Sequence, residues 1–444
     1  MSPLRRAARR TFASLETRNY RLFIIGQLVS LSGTWMHAVA LGWLVLQLTH
    51  SGFAVGVTLA LQFGPIALFG MYAGVLADRH DKRTMLFLTQ SAMSVVALTL
   101  WVLTATGVIE LWMIYSLAFL FGSLTALDHP VRQSFVTEMV GAERLPNAIS
   151  LNSAVFNAAR IFGPALAGLV IASVGLEWAF LVNAISFGAV LEGLRRMDPA
   201  ELHRTELTPR APGQIRAGLR YAWSVPRLRY LLGLEAIVAG LGIKFSVVLP
   251  LFARFVFDRG AGTFGLLTSV LAAGALFGAL AGAARATPDR RWLLGSAAVF
   301  GALGLVASQA SSVVVLAVLL VPIGAASITF IAAANTMLQL TARPDMRGRV
   351  MALHGIVFLG STPIGAPLIG WISENFGARV GLATGAGLSL LAALAGFAFI
   401  KRDVIEARLR TVLPLRRRTE HLPAQGAPDN LPVEVGATEE REAV

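Results

Sequence analysis

Long apolar runs recur along the chain, separated by short clusters of charge, glycine and proline. A helix rises 1.5 Å per residue, so about 20 apolar residues cross the hydrocarbon core of a bilayer. The runs therefore predict spanning helices near 22–48, 53–77, 84–106, 111–129, 148–173, 178–196, 229–251, 263–284, 291–308, 312–337, 350–372 and 379–400. The most polar interruption, Arg195 to Arg229, contains Pro199, Pro209, Pro212, Gly213 and Pro226 and separates two sets of six. The expected organisation is a segment 1–21, a six-helix bundle 22–196, a linker 197–228, a second six-helix bundle 229–400, and a tail 401–444 that is basic, then acidic, and largely disordered. The expected fold class is an all-α membrane protein with twelve transmembrane helices.

Composition agrees with this pattern. Apolar residues make up 55% of the 444 and charged residues only 14%. One soluble core of this length cannot absorb that surplus, which must face lipid. The net charge of +13 would suit a nucleic-acid partner, but the basic residues flank apolar runs and no basic patch is interleaved with aromatics. Placing the N-terminus in the cytoplasm puts 33 of the 38 Lys and Arg in cytoplasmic segments, so both termini are expected there, in a bacterial inner membrane. The first apolar run is too long for a signal-peptide core and is expected to be a retained helix. Cysteine is absent, which leaves no disulfide framework or thiol nucleophile.

The two halves carry a repeat. Gly163-Pro164-Ala165-Leu166-Ala167-Gly168 aligns with Gly365-Ala366-Pro367-Leu368-Ile369-Gly370 at an offset of 202 residues. Six helices separate the copies, so both run the same way across the membrane, as in parallel repeats related by an axis along the membrane normal.

Gly74-Val75-Leu76-Ala77-Asp78-Arg79-His80-Asp81-Lys82-Arg83, between the second and third runs, resembles the signature loop of the major facilitator superfamily, with Asp81 in place of a glycine. Gly163-Pro164-x-x-Ala167-Gly168 resembles the superfamily's antiporter element, with Ala167 departing from it. The stretch from Asp128-His129-Pro130 to Leu145-Pro146-Asn147 looks like the branch of transmembrane secretion effectors, which includes enterobactin-type siderophore exporters and macrolide-efflux-like proteins. The resemblance implies a major facilitator fold of two pseudo-symmetric bundles. It also implies a cytoplasmic latch in which Gly74, Asp78, Arg79 and Arg83 hold the halves together, with Arg79 or Arg83 paired to Asp128, and a helix-5 element of Gly163, Pro164 and Gly168.

Charges inside spans are costly, at least about 3 kcal/mol when unpaired near mid-bilayer, and so point to a cavity or a partner. Arg160 and Lys244 lie at that depth, and two cations favour an anionic cargo. Glu235 is the candidate proton carrier, with Asp128 second. His37, Gln62, Asn157 and Asn335 are expected near the pathway, and Trp35, Trp43 and Phe63 are candidates for an aromatic wall. Fixed helix-to-helix bonds would account for the same residues equally simply. No Gly-rich phosphate loop, HExxH set or nucleophile motif is present, so no enzyme activity, cofactor or metal is expected. The chain reads as a proton-coupled carrier exporting a small organic molecule, siderophore-like or drug-like, by alternating access. Its expected partners are that molecule, protons and membrane lipids, with no nucleic acid, and it is expected to act as a monomer. An importer on the same fold, or a non-transporting lipid-handling or receptor protein, are the competing readings.

Overall fold

The computed structural model describes residues 12–203, 214–283 and 289–412; within these, the side chains of Met71, Gly74, Val75, Ala77, Asp78, residues 214–218, Ala283 and residues 399–412 are outside the description. Residues 12–203, 214–283 and 289–397 belong to one compact unit, and the helix that closes it runs on to Val412 in a second unit. The segment beyond Val412, expected to be disordered, lies outside the described residues.

Among the described residues the spanning helices are α1 (Arg18–Thr49), α2 (Gly52–Arg79), α3 (Lys82–Ala105), α4 (111–140), α5 (142–173), α6 (Leu176–Arg195), α7 (Pro226–Val256), α8 (Ala261–Ala283), α9 (Arg290–Ser308), α10 (Val313–Thr341), α11 (Arg347–Phe376) and α12 (Ala378–Val412). Helices α4 and α5 follow one another directly within the 63 residues Leu111–Ser173, which laid straight would reach about 95 Å, three times the hydrocarbon thickness, so they are two helices and not one span. The run turns back at Gly141, whose φ of 71° and ψ of 174° few residues other than glycine adopt. This corrects the long 4–5 connection expected from Pro130, Pro146 and their charged neighbours. Both helices extend past the bilayer, and their junction is one residue.

The two halves repeat their packing. In the first, α1 lies against α5 and α6, and α4 against α2 and α3, while α3 meets α6. In the second, α7 lies against α11 and α12, and α10 against α8 and α9, while α9 meets α12 through Gly301 and Gly304. The halves join along two equivalent seams, α2 on α11 and α5 on α8.

Small residues make both seams. A Cβ on Gly168 would lie 3.1 Å from the Gly262 backbone, and one on Gly265 would lie 2.4 Å from the Pro164 carbonyl. Across the other seam, a Cβ on Gly56 would lie 2.4 Å from the Ala366 carbonyl and one on Gly370 only 2.2 Å from that of Gly52. Side chains cannot fit there, so the backbones touch, as membrane helices permit where packing replaces the hydrophobic drive between them. Both seams lie near the ends of α5 and α11 and the starts of α8 and α2. They therefore sit toward the face opposite the basic loops.

The sequence repeat is this geometry. The first glycine of each copy packs within its own half, Gly163 against Ser32 and Trp35 of α1, and Gly365 against Gly240 and Lys244 of α7. The second glycine of each copy meets the other half.

Candidate functional site

Helix α7 is irregular where it faces this packing. A π-helical stretch at Val238–Gly242 is followed by Ile243 and Lys244 outside helical geometry, then Phe245–Leu251 and a second π stretch, Phe252–Val256. Pro250 removes one backbone donor within it, and π insertions commonly mark functional positions. The break leaves Lys244 largely buried, its Nζ donating to Thr362 Oγ1 at 2.9 Å. No carboxylate pairs with it among the described residues.

Arg160 answers it in the first half. Its guanidinium carbon lies 6.0 Å from the centroid of the Trp35 ring, which meets Phe156 edge-on at 5.9 Å. This is the outer range of a cation–π contact. Arg160 makes no ion pair among the described residues. The offset of 202 pairs Arg160 with Thr362, so each half carries one cation at the same level of its α1–α5 or α7–α11 contact.

Beside Lys244, α7 also holds Glu235, 1% exposed. His354 Nδ1 of α11 stands 2.8 and 2.9 Å from its two carboxylate oxygens. His354 Nε2 lies 3.2 Å from Asn335 Nδ2 of α10, and Asn335 Oδ1 accepts from Gln339 Nε2 at 2.6 Å. Read as hydrogen bonds, the chain has one direction: Gln339 donates to Asn335, Asn335 to His354, and His354 to Glu235. Sequence reasoning named Glu235 and Asn335 but did not join them, because His354 stands 119 residues from its carboxylate partner.

Asp128 is fully buried on α4. Its Oδ1 accepts from Thr89 Oγ1 at 3.0 Å and Gln90 Nε2 at 2.7 Å, and its Oδ2 pairs with Arg132 at 2.9 Å. Arg132 also donates to Gln27 Oε1. The expected pairing of Asp128 with Arg79 or Arg83 is not formed. Arg83 instead donates to the carbonyls of Leu194 and Arg195, closing the end of α6, and Arg79 is exposed without an ion pair among the described residues. The contact between the signature loop and the end of α4 runs through its neighbour, with Lys82 paired to Glu138. Asp81, the departure from the motif, caps α3 by accepting from the Thr84 N–H and hydroxyl. The surroundings of Gly74 and the side chain of Asp78 lie outside the described set.

The remaining candidates are dispersed. His37 is buried inside the first half, stacked on Phe121 at 4.9 Å and edge-on to Phe180, a packing position. Asn157 donates to the Ser153 carbonyl of its own helix. Gln62 marks where α2 and α4 touch, since a Cβ on Gly122 would lie 2.1 Å from its carbonyl oxygen. Trp43 lines a pocket of about 260 Å³ with Gln47, His50 and Arg254, two turns along α1 from Trp35. One contact had no sequence signal: Glu374 near the end of α11 accepts from Ser51 and Phe53 at the start of α2. No group of His, Asp and Glu suited to a metal occurs among the described residues.

Twelve spanning helices in two equivalent halves, joined along two seams, define the fold of a major facilitator transporter. The chain belongs to the transmembrane secretion effectors, whose family pattern matches residues 9–422. It is 28% identical to the multidrug efflux pump Tap of Mycolicibacterium fortuitum over 80% of this chain and 89% of that protein. It is 25% identical to the enterobactin exporter EntS of Shigella boydii over 84% and 89% respectively. A match to the staphyloferrin A transporter of Staphylococcus aureus, at 28% identity, covers 56% of this chain and 62% of that protein. The fold is similar to a bacterial homologue of the human lysosomal transporter Spinster solved in an inward-facing, unoccupied conformation, with a TM-score of 0.70, 15% identity and coverage of 86% and 97%. The nucleoside transporter NupG gives a TM-score of 0.71 at 9% identity, with coverage of 86% and 99%.

Proposed function

We propose that this protein is a proton-coupled exporter of a small anionic organic molecule, acting as a monomer by alternating access in a bacterial inner membrane with both termini cytoplasmic. The observation that carries the proposal is the matched pair of cations, Arg160 and Lys244, at one level of the two halves and without a carboxylate partner among the described residues. Among the described residues, Lys244, buried, faces a hydroxyl and Arg160, partly buried, an aromatic ring; charges within a span so placed are poorly compensated, and a bound anion relieves both sites at once. The Trp35–Phe156 pair beside Arg160 suits a cargo with a flat, unsaturated part. Export follows the named activities of the efflux pump and the enterobactin exporter that this chain resembles.

Glu235 is the proton-carrying group. It is buried, its one ionisable partner among the described residues is the His354 imidazole, and it shares the broken helix with Lys244, about 13 Å away along the axis. Protonation of the carboxylate and loading of an anion at Lys244 thereby act on one jointed element. Asp128 suits the role less, being held by three donors. Orientation follows from the basic loops, so the seams seal the outer face and the cargo site is reached from the cytoplasm.

The test compares metabolites retained by cells with and without the gene, then follows the leading acidic candidate into proteoliposomes under an imposed pH gradient. Accumulation driven by the gradient and abolished in Glu235→Gln supports the proposal. Gradient-driven transport unchanged in Glu235→Gln removes Glu235 from the role, and transport indifferent to Arg160→Gln and Lys244→Gln removes the anionic cargo.

A further inference from the structure

We infer that His354 passes the proton between Glu235 and water at the basic face, and that the Asn335 amide selects which imidazole nitrogen holds it. The inference rests on Glu235 as the proton carrier and adds the route.

The geometry supplies each step. Glu235 lies nine residues into α7, about 14 Å from its start at Pro226, and is closed off from solvent. Its route outward is the chain His354, Asn335, Gln339. Gln339 is exposed, two residues before the end of α10, and its backbone carbonyl accepts from Arg347 Nε of α11 at 3.1 Å. The path thus runs from the buried carboxyl to the basic face, away from the seams.

Among the described side chains, other charges do not compete for the pair. On the preceding helix, Gln214–Ser224, Arg220 is exposed and Tyr221 accepts from the Arg343 N–H. On α7 itself, Arg227 and Arg229 are exposed, Tyr230 directs its hydroxyl at Gly396 of α12, and Lys244 is bonded to Thr362. On the α10–α11 side, Arg343 pairs with Asp345, and Arg349 contacts Met346. His354 is the one ionisable partner of Glu235 among the described residues.

With Glu235 ionised, imidazole Nδ1–H donates to the carboxylate and Nε2 accepts from the Asn335 NH₂. Proton entry requires the amide to turn, so that its oxygen faces Nε2. A hydronium-borne proton from the aqueous side then binds Nε2 and leaves water, the Nδ1 proton passes to the Glu235 carboxylate and neutralises it, and a neutral imidazole remains with its proton on Nε2, held by Asn335 Oδ1. Release runs the same steps backwards, from the carboxyl O–H to Nδ1 and from Nε2–H to water. One proton moves and no charge stays behind. The imidazole tautomer therefore reports the protonation of Glu235.

The full chain in nanodiscs, with ¹⁵N-labelled histidine, tests this. The His354 resonances are assigned by their loss in His354→Gln, and the carboxyl C=O stretch is followed by infrared spectroscopy after a rapid drop in pH. The expected result is a switch of His354 from the Nδ1–H to the Nε2–H tautomer in step with the band. The band should also rise more slowly by about a hundredfold in His354→Gln and Asn335→Leu, the size of effect a positioned proton-transfer group supplies. Unchanged rates in both variants, or a fixed tautomer as the band rises, overturn the relay. Should His354→Gln fail to fold, Asn335→Leu decides alone, because it leaves the Glu235–His354 pair in place. Persistence of the band in Glu235→Gln defeats the carrier assignment instead, so the two failures are told apart.

Discussion

Glu374, at the end of α11, accepts the Ser51 hydroxyl at 2.5 Å and the neighbouring Phe53 N–H at 3.0 Å, so a carboxylate from one half caps the first turn of a helix in the other. Free N–H groups at a helix start favour a negative charge, and here that charge also ties a seam shut. Glu374→Ala is expected to weaken the closed seam by about 1–2 kcal/mol, close to a tenfold change in the ratio of closed to open molecules. Because the chain lacks cysteine, spin labels placed at Phe53 and Phe376 can read this directly as a new, longer distance population. An unchanged distance distribution would show that the glycines hold the seam unaided.

The glycines themselves make a second prediction. Gly56→Val and Gly168→Val are each expected to keep their seam from closing, since even a methyl group would overlap or crowd the opposing backbone. Overpacking of this kind costs about 1–3 kcal/mol. Paired labels should report a separated seam, whereas Gly64→Val, where a Cβ meets nothing within 4 Å, should leave the distances as they are.

Lys244 and Thr362 predict opposite effects on stability and on cargo. An ammonium facing one hydroxyl is undercompensated, so Lys244→Met should raise the melting temperature in detergent while abolishing binding of an anionic cargo. Thr362→Val removes the one hydrogen-bond partner of Lys244 among the described residues, and should lower it. A melting temperature that falls in Lys244→Met would mean that the ammonium is fully satisfied where it stands.

Asp128 and Arg132 behave as a structural pair. Asp128→Asn leaves a guanidinium facing a neutral amide within the first half and is expected to destabilise the fold by about 3 kcal/mol, with Arg132→Met partly restoring it in the double variant. Thermal unfolding of the single and double variants measures the coupling. Additive losses would leave Thr89 and Gln90 as the partners that matter.

Much of this architecture was legible because bilayer thickness and the α-helical rise act on each run separately. The repeat was legible too, since Gly163 and Gly365, and Gly168 and Gly370, share spacing even though their partners do not. What stayed hidden depends on approach in space. Pro130, Pro146 and the charges between them read as a loop, but helices that extend beyond the bilayer tolerate both. Lys82 pairs with Glu138, about a turn and a half beyond the Arg132 that holds Asp128, so the expected partner of Arg79 or Arg83 was already taken from within its own helix. The line from Glu235 to Gln339 joins three helices, and no periodicity within any one of them foretells it.

The two halves match in packing but not in the continuity of their helices. Helix α1 runs from Arg18 to Thr49 without interruption, whereas its counterpart α7 is broken by two π stretches and the irregular turn at Lys244, and α11 is jogged at Ser361. A continuous helix thus has a jointed one as its counterpart. The first half has the build of an anvil, and strain from a single proton or a single cargo molecule will collect at the joints of the second.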